Sequence, residues 1–364
     1  MKVNGLKSQK VAGRFSISRL KNIYKAIYVI YWMKALFLNG VENISIEDVD
    51  LNGLDKNEVR VKVEACGVCG SDIHSYFGKN PLISYPVVPG HEFSGIIVES
   101  RSKSFKTGDR VAVDPNIACN KCRYCISGRK NFCRDFVSIG NNIPGGFSEY
   151  VNVPDSQLYR IPDNVSFIEA SVTEPVACII HGLDIIHARV GESALILGAG
   201  FIGLTFLQIL KNMGYNPLIV SELNEYRLNT ARSLDADIVS GNLYDYVMEK
   251  TGNNGVDLIV ETTGNMKLFE GPLDIISNTG RILAFAVYDP DAYAKIKPSV
   301  IFRKEITITG EFTNPYTMER SLNLISSKAI NLGIMLNKII DINNVENAFR
   351  GNIADTIKVV MVNK

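Results

Sequence analysis

The 364-residue sequence predicts an α/β protein with a mainly-β part and a doubly wound Rossmann part. Three observations carry that prediction. From Met33 to about Tyr159 the chain reads as short alternating or β-branched runs broken by Gly, Pro and Asn. From about Ile185 onward, apolar strands alternate with helical stretches, the pattern of βαβ units around a parallel sheet covered on both faces. The length suits two domains with cores of their own.

In chain order, the first part holds the strand runs KALFL, VRVKVEA, SGIIVES, DRVAV and SEYVNV. The second alternates SALILG, FIGLTFLQILKNMG, PLIVSE, EYRLNTARSLDA, VDLIVETTG and RILAFAV. The last sixty residues give a strand at ITITGEF, helices at ERSLNLISSKA and VENAFRG, and a closing strand IKVVMV able to pair back with the first half. Residues 1–32 stand apart. They carry seven Lys/Arg and no acid, with Ile17, Leu20, Tyr24, Ile27, Tyr28 and Tyr31 at helical spacing. That pattern is compatible with an import presequence or a membrane-surface helix. Equally, Met33 begins "MKALFLNG", a natural first strand, which would make the leader an upstream extension of little selected role.

Hydrophobic residues at 46% and charged residues at 21%, with no low-complexity tract, place the chain among ordinary globular proteins. Beyond the leader it is mildly acidic, which argues against a nucleic-acid-binding surface. The run AIYVIYW (26–32) is too short to span a bilayer, so no transmembrane helix and no membrane partner are expected. Six of the seven cysteines fall in two local groups, which suggests metal binding in a reducing, cytoplasmic setting rather than a disulfide framework.

"GAGFIG" (198–203) follows the strand SALIL and opens an apolar-faced helix of which Phe201 and Ile202 are the first residues. Gly198 permits the turn, Gly200 lets a pyrophosphate approach the backbone, and Gly203 lets the helix pack on the strand. The next strand ends at Glu222, where an acid binds the adenosine ribose 2′-OH and repels a 2′-phosphate, favouring NAD over NADP. Arg227 tempers this, since a guanidinium can greet a 2′-phosphate, cap the ribose side of NAD, or be a solvated helix charge.

Cys119, Cys122, Cys125 and Cys133 lie on one polar loop within 114–136, spaced C-x2-C-x2-C-x7-C. Four thiolates from one loop suit a closed tetrahedral zinc site with no vacancy for a substrate. A second group is dispersed: Cys69 in "CGVCGSDIH", His91 and Glu92 in "GHE", and Glu174 in "EP". One thiolate, one imidazole and carboxylates suit a catalytic zinc that keeps a position open. Asp72 is expected to accept the second ring N–H of His91. Cys66 is expected to be buried at a strand end, Cys178 and His181 within the apolar interior, and His187 at the surface.

Together "GVCGSDIH", "PGHE", the four-cysteine loop, "EPVA", "LGAGFIG" and "VETTG" resemble the zinc-dependent medium-chain dehydrogenase/reductase family over residues 33–364, in that family's order. Within it the chain is similar to the polyol branch, of sorbitol dehydrogenase type, through Glu174 in "EPVA" and the tail "RKEITITGEFTNPYT". The resemblance implies a GroES-like, mainly-β catalytic domain formed by 33–182 and 315–364, and a Rossmann domain at 183–314. It also implies one catalytic and one structural Zn2+, NAD, and a homo-oligomer, dimer or tetramer. Cys69 and His91 become ligands, with Glu174 and Glu92 supplying the rest directly or through water; which glutamate binds is left open. Zinc would activate a secondary alcohol, the expected substrates being polyols or sugar alcohols, for hydride transfer to NAD, with Ser71 relaying the proton to His74 at the surface. Thr313-Asn314 stand where animal sorbitol dehydrogenases carry an arginine and a tyrosine that engage the polyol. Threonine, 2,3-butanediol or a sugar-alcohol phosphate are therefore alternative substrates, and a zinc- and NAD-binding protein without turnover is the alternative of another class.

Overall fold

The structure is a computed structural model that describes residues 32–239 and 241–363. The basic leader, with its helical pattern from Ile17 to Tyr31, lies outside the described residues.

The chain enters through a hairpin, β1 (Trp32–Gly40) on β2 (Asn43–Asp50). It continues through β3 (Glu58–Gly67), β4 (Glu92–Ser100) and β5 (Arg110–Val113), a two-stranded ribbon of β6 (Asn116–Ile117) and β7 (Val137–Ser138), then β8 (Tyr150–Pro154) and β9 (Leu158–Arg160). Val59, Val61 and Val63 of β3 are fully buried, as the period of two requires, in a core shared with Phe93, Ile97, Val111 and Val151. A helix at Gly70–Tyr76 interrupts what the sequence reads as strands and turns. The Asp72 carboxylate starts it by accepting from the Cys69 amide at 2.9 Å, a cap too local to disturb the strand pattern around it.

Six parallel strands form the second sheet: β10 (Ala194–Leu197), β11 (Leu218–Ser221), β12 (Asp237–Val239), β13 (Val256–Glu261), β14 (Ile276–Ala284) and β15 (Thr307–Gly310), in the order β12-β11-β10-β13-β14-β15. Ala194 and Ile196 pack into one apolar cluster and Leu195 and Leu197 into another, so β10 is buried on both faces. The order reverses direction between β10 and β13, and ligands of doubly wound sheets bind outside the carboxyl ends of the strands at such a switch point.

The chain then returns. β16 (Lys338–Ile340) and β17 (Val359–Val362) join the first sheet, with β17 antiparallel to β3, giving the order β16-β17-β3-β4-β5-β9 with β8 on the other part of β3. Helix Met318–Ser326 is tied to helix Thr173–Ile185 by Thr317 Oγ1 to Ala177 O and Ser321 Oγ to Thr173 O, both 2.7 Å. Among the described residues no helix is long and apolar enough to cross a membrane.

Candidate active site

The four-cysteine loop folds as a closed cage. Ligand atoms of Cys119, Cys122, Cys125 and Cys133 all lie within 4.8 Å of one another. The Cys122–Cys125 and Cys119–Cys125 sulfur separations, 3.5 and 4.0 Å, bracket the edge of about 3.8 Å of a tetrahedron with Zn–S bonds of ~2.3 Å. The backbone N–H of Cys125, with that of Arg134, pulls the Cys122 thiol down to about 6, towards the thiolate a metal takes. The residues present fit a zinc ion.

The second group is built from separate elements. Cys69 precedes helix Gly70–Tyr76, His91 immediately precedes β4, and Glu92 opens it. Their ligand atoms fall within 4.8 Å of one another. Asp72 serves two members: one oxygen takes the Cys69 amide and the other lies 3.4 Å from His91 Nδ1. His91 Nε2, the other ring nitrogen, lies 3.4 Å from Ser71 Oγ. This mixed donor set fits zinc with an open position.

Of the two glutamates the sequence leaves open, Glu174 lies beside this group rather than in it. It is buried near the start of helix Thr173–Ile185 but does not belong to that donor group. Its Oε1 accepts instead from Cys178 Sγ, one turn on, at 3.3 Å. Burial raises its carboxyl to about 7 against the pull of His91, which places it beside the site. His74 departs from expectation. It is half-buried rather than at the surface, and its Nδ1 is enclosed with no partner. Burial and Lys79 lower its pKa below the ordinary histidine value.

Glu92 is fully buried, and its Oε1 accepts from Lys358 Nζ at 2.7 Å. Lys358 precedes β17, is itself buried, and sits 5.1 Å over the ring of Phe201. It thus joins the metal-side carboxylate to the first residue of the nucleotide helix. Sequence reasoning missed Lys358 and Cys178; the available signals were a lysine inside the apolar run IKVVMV and a thiol four residues after Glu174.

Gly200 caps helix Phe201–Asn212, and a Cβ built on it meets nothing within 4 Å, leaving room for a ligand at the helix N-terminus. Gly203 has no such freedom: its Cβ would lie 1.9 Å from Gly198 O, so the helix can sit this close only on glycine. Gly198 has φ +99. Ile202 is half-buried in the first turn. Glu222, just beyond β11, accepts from the amides of Ala199, Leu223 and Asn224 at 3.0, 2.7 and 3.0 Å, and Arg227 Nη1 lies 3.8 Å from it. The acid is fixed beside the glycine loop, and the residues fit a dinucleotide. His187 is exposed and His181 half-buried, while Cys66 is fully buried at the end of β3.

Comparison with known proteins agrees with this architecture. A family model described as the alcohol dehydrogenase GroES-like domain matches residues 55–163, and one described as zinc-binding dehydrogenase matches 202–327. The D-arabinitol dehydrogenase 1 of Uromyces fabae is 30% identical over 87% of this chain and 93% of its own length. An L-threonine 3-dehydrogenase of Escherichia coli is 34% identical over 71% of this chain and 79% of its own. A crystal structure of a zinc-binding dehydrogenase from Sinorhizobium meliloti 1021 bound to NADP superposes with a TM-score of 0.87 at 31% identity, covering 92% of this chain and all of that one. The chain belongs to the zinc-dependent medium-chain alcohol dehydrogenase family. Its chemistry is oxidation of a small alcohol or polyol with a nicotinamide dinucleotide.

Proposed function

We propose that this enzyme oxidises a secondary hydroxyl of a polyol using NAD, with Cys69 and His91 as zinc ligands, a glutamate as the third, and Cys119, Cys122, Cys125 and Cys133 holding a structural zinc. The observation that carries the reading is the convergence of Cys69, His91 and Glu92 into one donor group linked through Lys358 to the nucleotide helix. Zinc bound there supplies Lewis acidity that brings a hydroxyl's pKa toward neutrality, and the nicotinamide supplies the hydride acceptor. The chain's own residues do the rest. Asp72 fixes the ring of His91, and Lys358 keeps the charge of Glu92 compensated in a dry site. Ser71 takes the substrate proton, and His74, held neutral by burial, receives it further out.

Glu222 sets the cofactor preference. Its carboxylate, fixed beside the loop, accepts from a ribose 2′-OH and repels a 2′-phosphate, while Arg227 is turned toward Glu222. The division into 33–182 with 315–364 and 183–314 belongs to the same reading, supported by the return of β17 to β3. So do a homo-oligomer, supported by the exposed strand β15 at the sheet edge, and a reducing cytoplasmic setting, supported by seven unpaired cysteines.

The test is a rate panel on zinc-loaded protein begun at Met1 and at Met33. Pentitols, hexitols, threonine, 2,3-butanediol and a sugar-alcohol phosphate are each offered with NAD and NADP. A polyol with NAD is expected to give the highest kcat/KM, with NADP at least about tenfold poorer, the size of one lost charge-assisted hydrogen bond. Threonine or NADP leading the panel refutes the assignment, and cofactor binding without turnover on any alcohol returns the protein to a non-catalytic role.

A further inference from the structure

Glu261 is a fully buried carboxylate that the mechanism leaves unused. It ends β13, at the carboxyl edge of the parallel sheet and beside the point where the strand order reverses. Four donors hold it. Three are local: Oε1 accepts from the hydroxyl of Thr263 and from its amide at 2.7 Å, and Oε2 accepts from the amide of Gly264 at 3.1 Å. These shape the turn that follows the strand. The fourth comes from another loop, Tyr288 Oη donating to Oε2 at 2.6 Å. Burial, then Glu261, push the Tyr288 phenol far above its ordinary value, so it stays a donor. Its ring stands edge-on to that of Phe269, with centroids 5.9 Å apart.

The turn and the loop so joined line the dinucleotide crevice. A Cβ built on Gly198 would lie 2.7 Å from Thr262 Oγ1 and 2.8 Å from Thr263 Cγ2, so the turn after β13 is packed on the glycine loop itself. The loop after β14 rests on that turn: a Cβ on Gly264 would lie 3.2 Å from Val287 O, and the Phe285 amide donates to Glu261 O at 3.0 Å. Its far end faces the catalytic side. Burial and Lys79 lower the pKa of His74, and Asp289, the neighbour of Tyr288, pulls the other way. Glu222 follows β11, on the opposite side of β10 from β13 and β14. With the adenosine ribose at Glu222, the nicotinamide end of a dinucleotide is left the β13–β14 side of the crevice.

We propose that Tyr288 is a positioning residue that, through Glu261, clasps the 285–289 loop onto the turn after β13 and so preorganises the wall that receives the nicotinamide end of the cofactor. This rests on the dehydrogenase reading above and concerns one end of its cofactor site. Without the clasp the loop must be ordered as the cofactor binds, which weakens any ligand that touches the loop and no other.

The experiment titrates NADH and ADP-ribose, the dinucleotide without its nicotinamide ring, into zinc-loaded wild type, Tyr288→Phe, Glu261→Gln and the double variant. Thermal melting monitors folding. Tyr288→Phe keeps the ring on Phe269 and loses only the donor. Its NADH Kd should rise about tenfold, the size of one hydrogen bond to a charged group, while its ADP-ribose Kd stays within about twofold of wild type. Because Tyr288 acts through Glu261, the double variant should bind NADH within about threefold of Glu261→Gln alone. Equal losses for both ligands, no loss for NADH, or a full further tenfold loss in the double variant would each overturn the proposal. If Glu261→Gln does not fold, the comparison of NADH with ADP-ribose in Tyr288→Phe decides by itself. A wild type that binds neither ligand overturns the dinucleotide reading and this inference together, whereas a wild type that binds both, with an unchanged preference in Tyr288→Phe, overturns this inference alone.

Discussion

The two groups of metal donors reach similar ends by opposite routes. In the cysteine loop all four donors come from fifteen consecutive residues, and backbone N–H groups of the loop itself favour a thiolate at Cys122. In the other group the donors come from a helix start and a strand start, and the carboxylate among them is balanced by a lysine 266 residues away. A self-contained loop can be a staple because its geometry is local. The dispersed group has its carboxylate balanced only when the far end of the chain has returned and set Lys358 on Glu92, and its buried charges are what such an arrangement must compensate.

Breaking that compensation should produce the largest effect. In zinc-free protein Lys358→Met leaves Glu92 buried and unpaired, and the loss in unfolding free energy should be about 3–5 kcal/mol by denaturant titration. The double variant Lys358→Met with Glu92→Gln should recover much of it; a single variant that melts like wild type would show that the two charges are not a buried pair. A smaller effect sharpens the contrast at the level of proton movement. His74→Asn should cost about 10²-fold in kcat/KM, within the usual range for a general base, without changing stability or the zinc of the cysteine loop. Because burial lowers the pKa of His74, its imidazole stays neutral to a lower pH than an ordinary histidine. The acid limb of the wild-type profile should accordingly fall below about pH 6.5 and disappear in the variant. An acid limb unchanged in His74→Asn would place the proton path elsewhere.

The same contrast explains what was legible in the sequence. The cysteine loop could be read from spacing alone because every donor is local, and GAGFIG could be read because its strand and helix flank it; Gly203 packs against Gly198 O as the motif requires. The parallel sheet announced itself through strands buried on both faces. The dispersed group was legible only as a set of residue types, carried by family resemblance. Nothing local tells that Glu92 rather than Glu174 shares space with Cys69 and His91, or that Cys178 occupies Glu174. Lys358 was illegible for a related reason. It is one charged residue at the margin of an apolar strand, IKVVMV, and its role depends on which distant group the closed chain brings beside it. His74 was read as a surface residue because the resemblance makes it the outer end of a proton relay, and no local pattern shows that the helix carrying it, Gly70–Tyr76, half-buries it.

Zinc counted by elemental analysis, alongside turnover, tests the central claim most directly. Wild type should hold two zinc ions per chain. Cys69→Ser should retain one, keep its fold, and lose turnover at least about a thousandfold, the several kcal/mol that a Lewis acid contributes. Cys122→Ser should also retain one, melt at a lower temperature, and turn over at a rate near wild type while folded. If Cys69→Ser keeps both ions and its activity, or if the two variants lose folding and turnover to the same extent, the division between a catalytic and a structural metal is wrong.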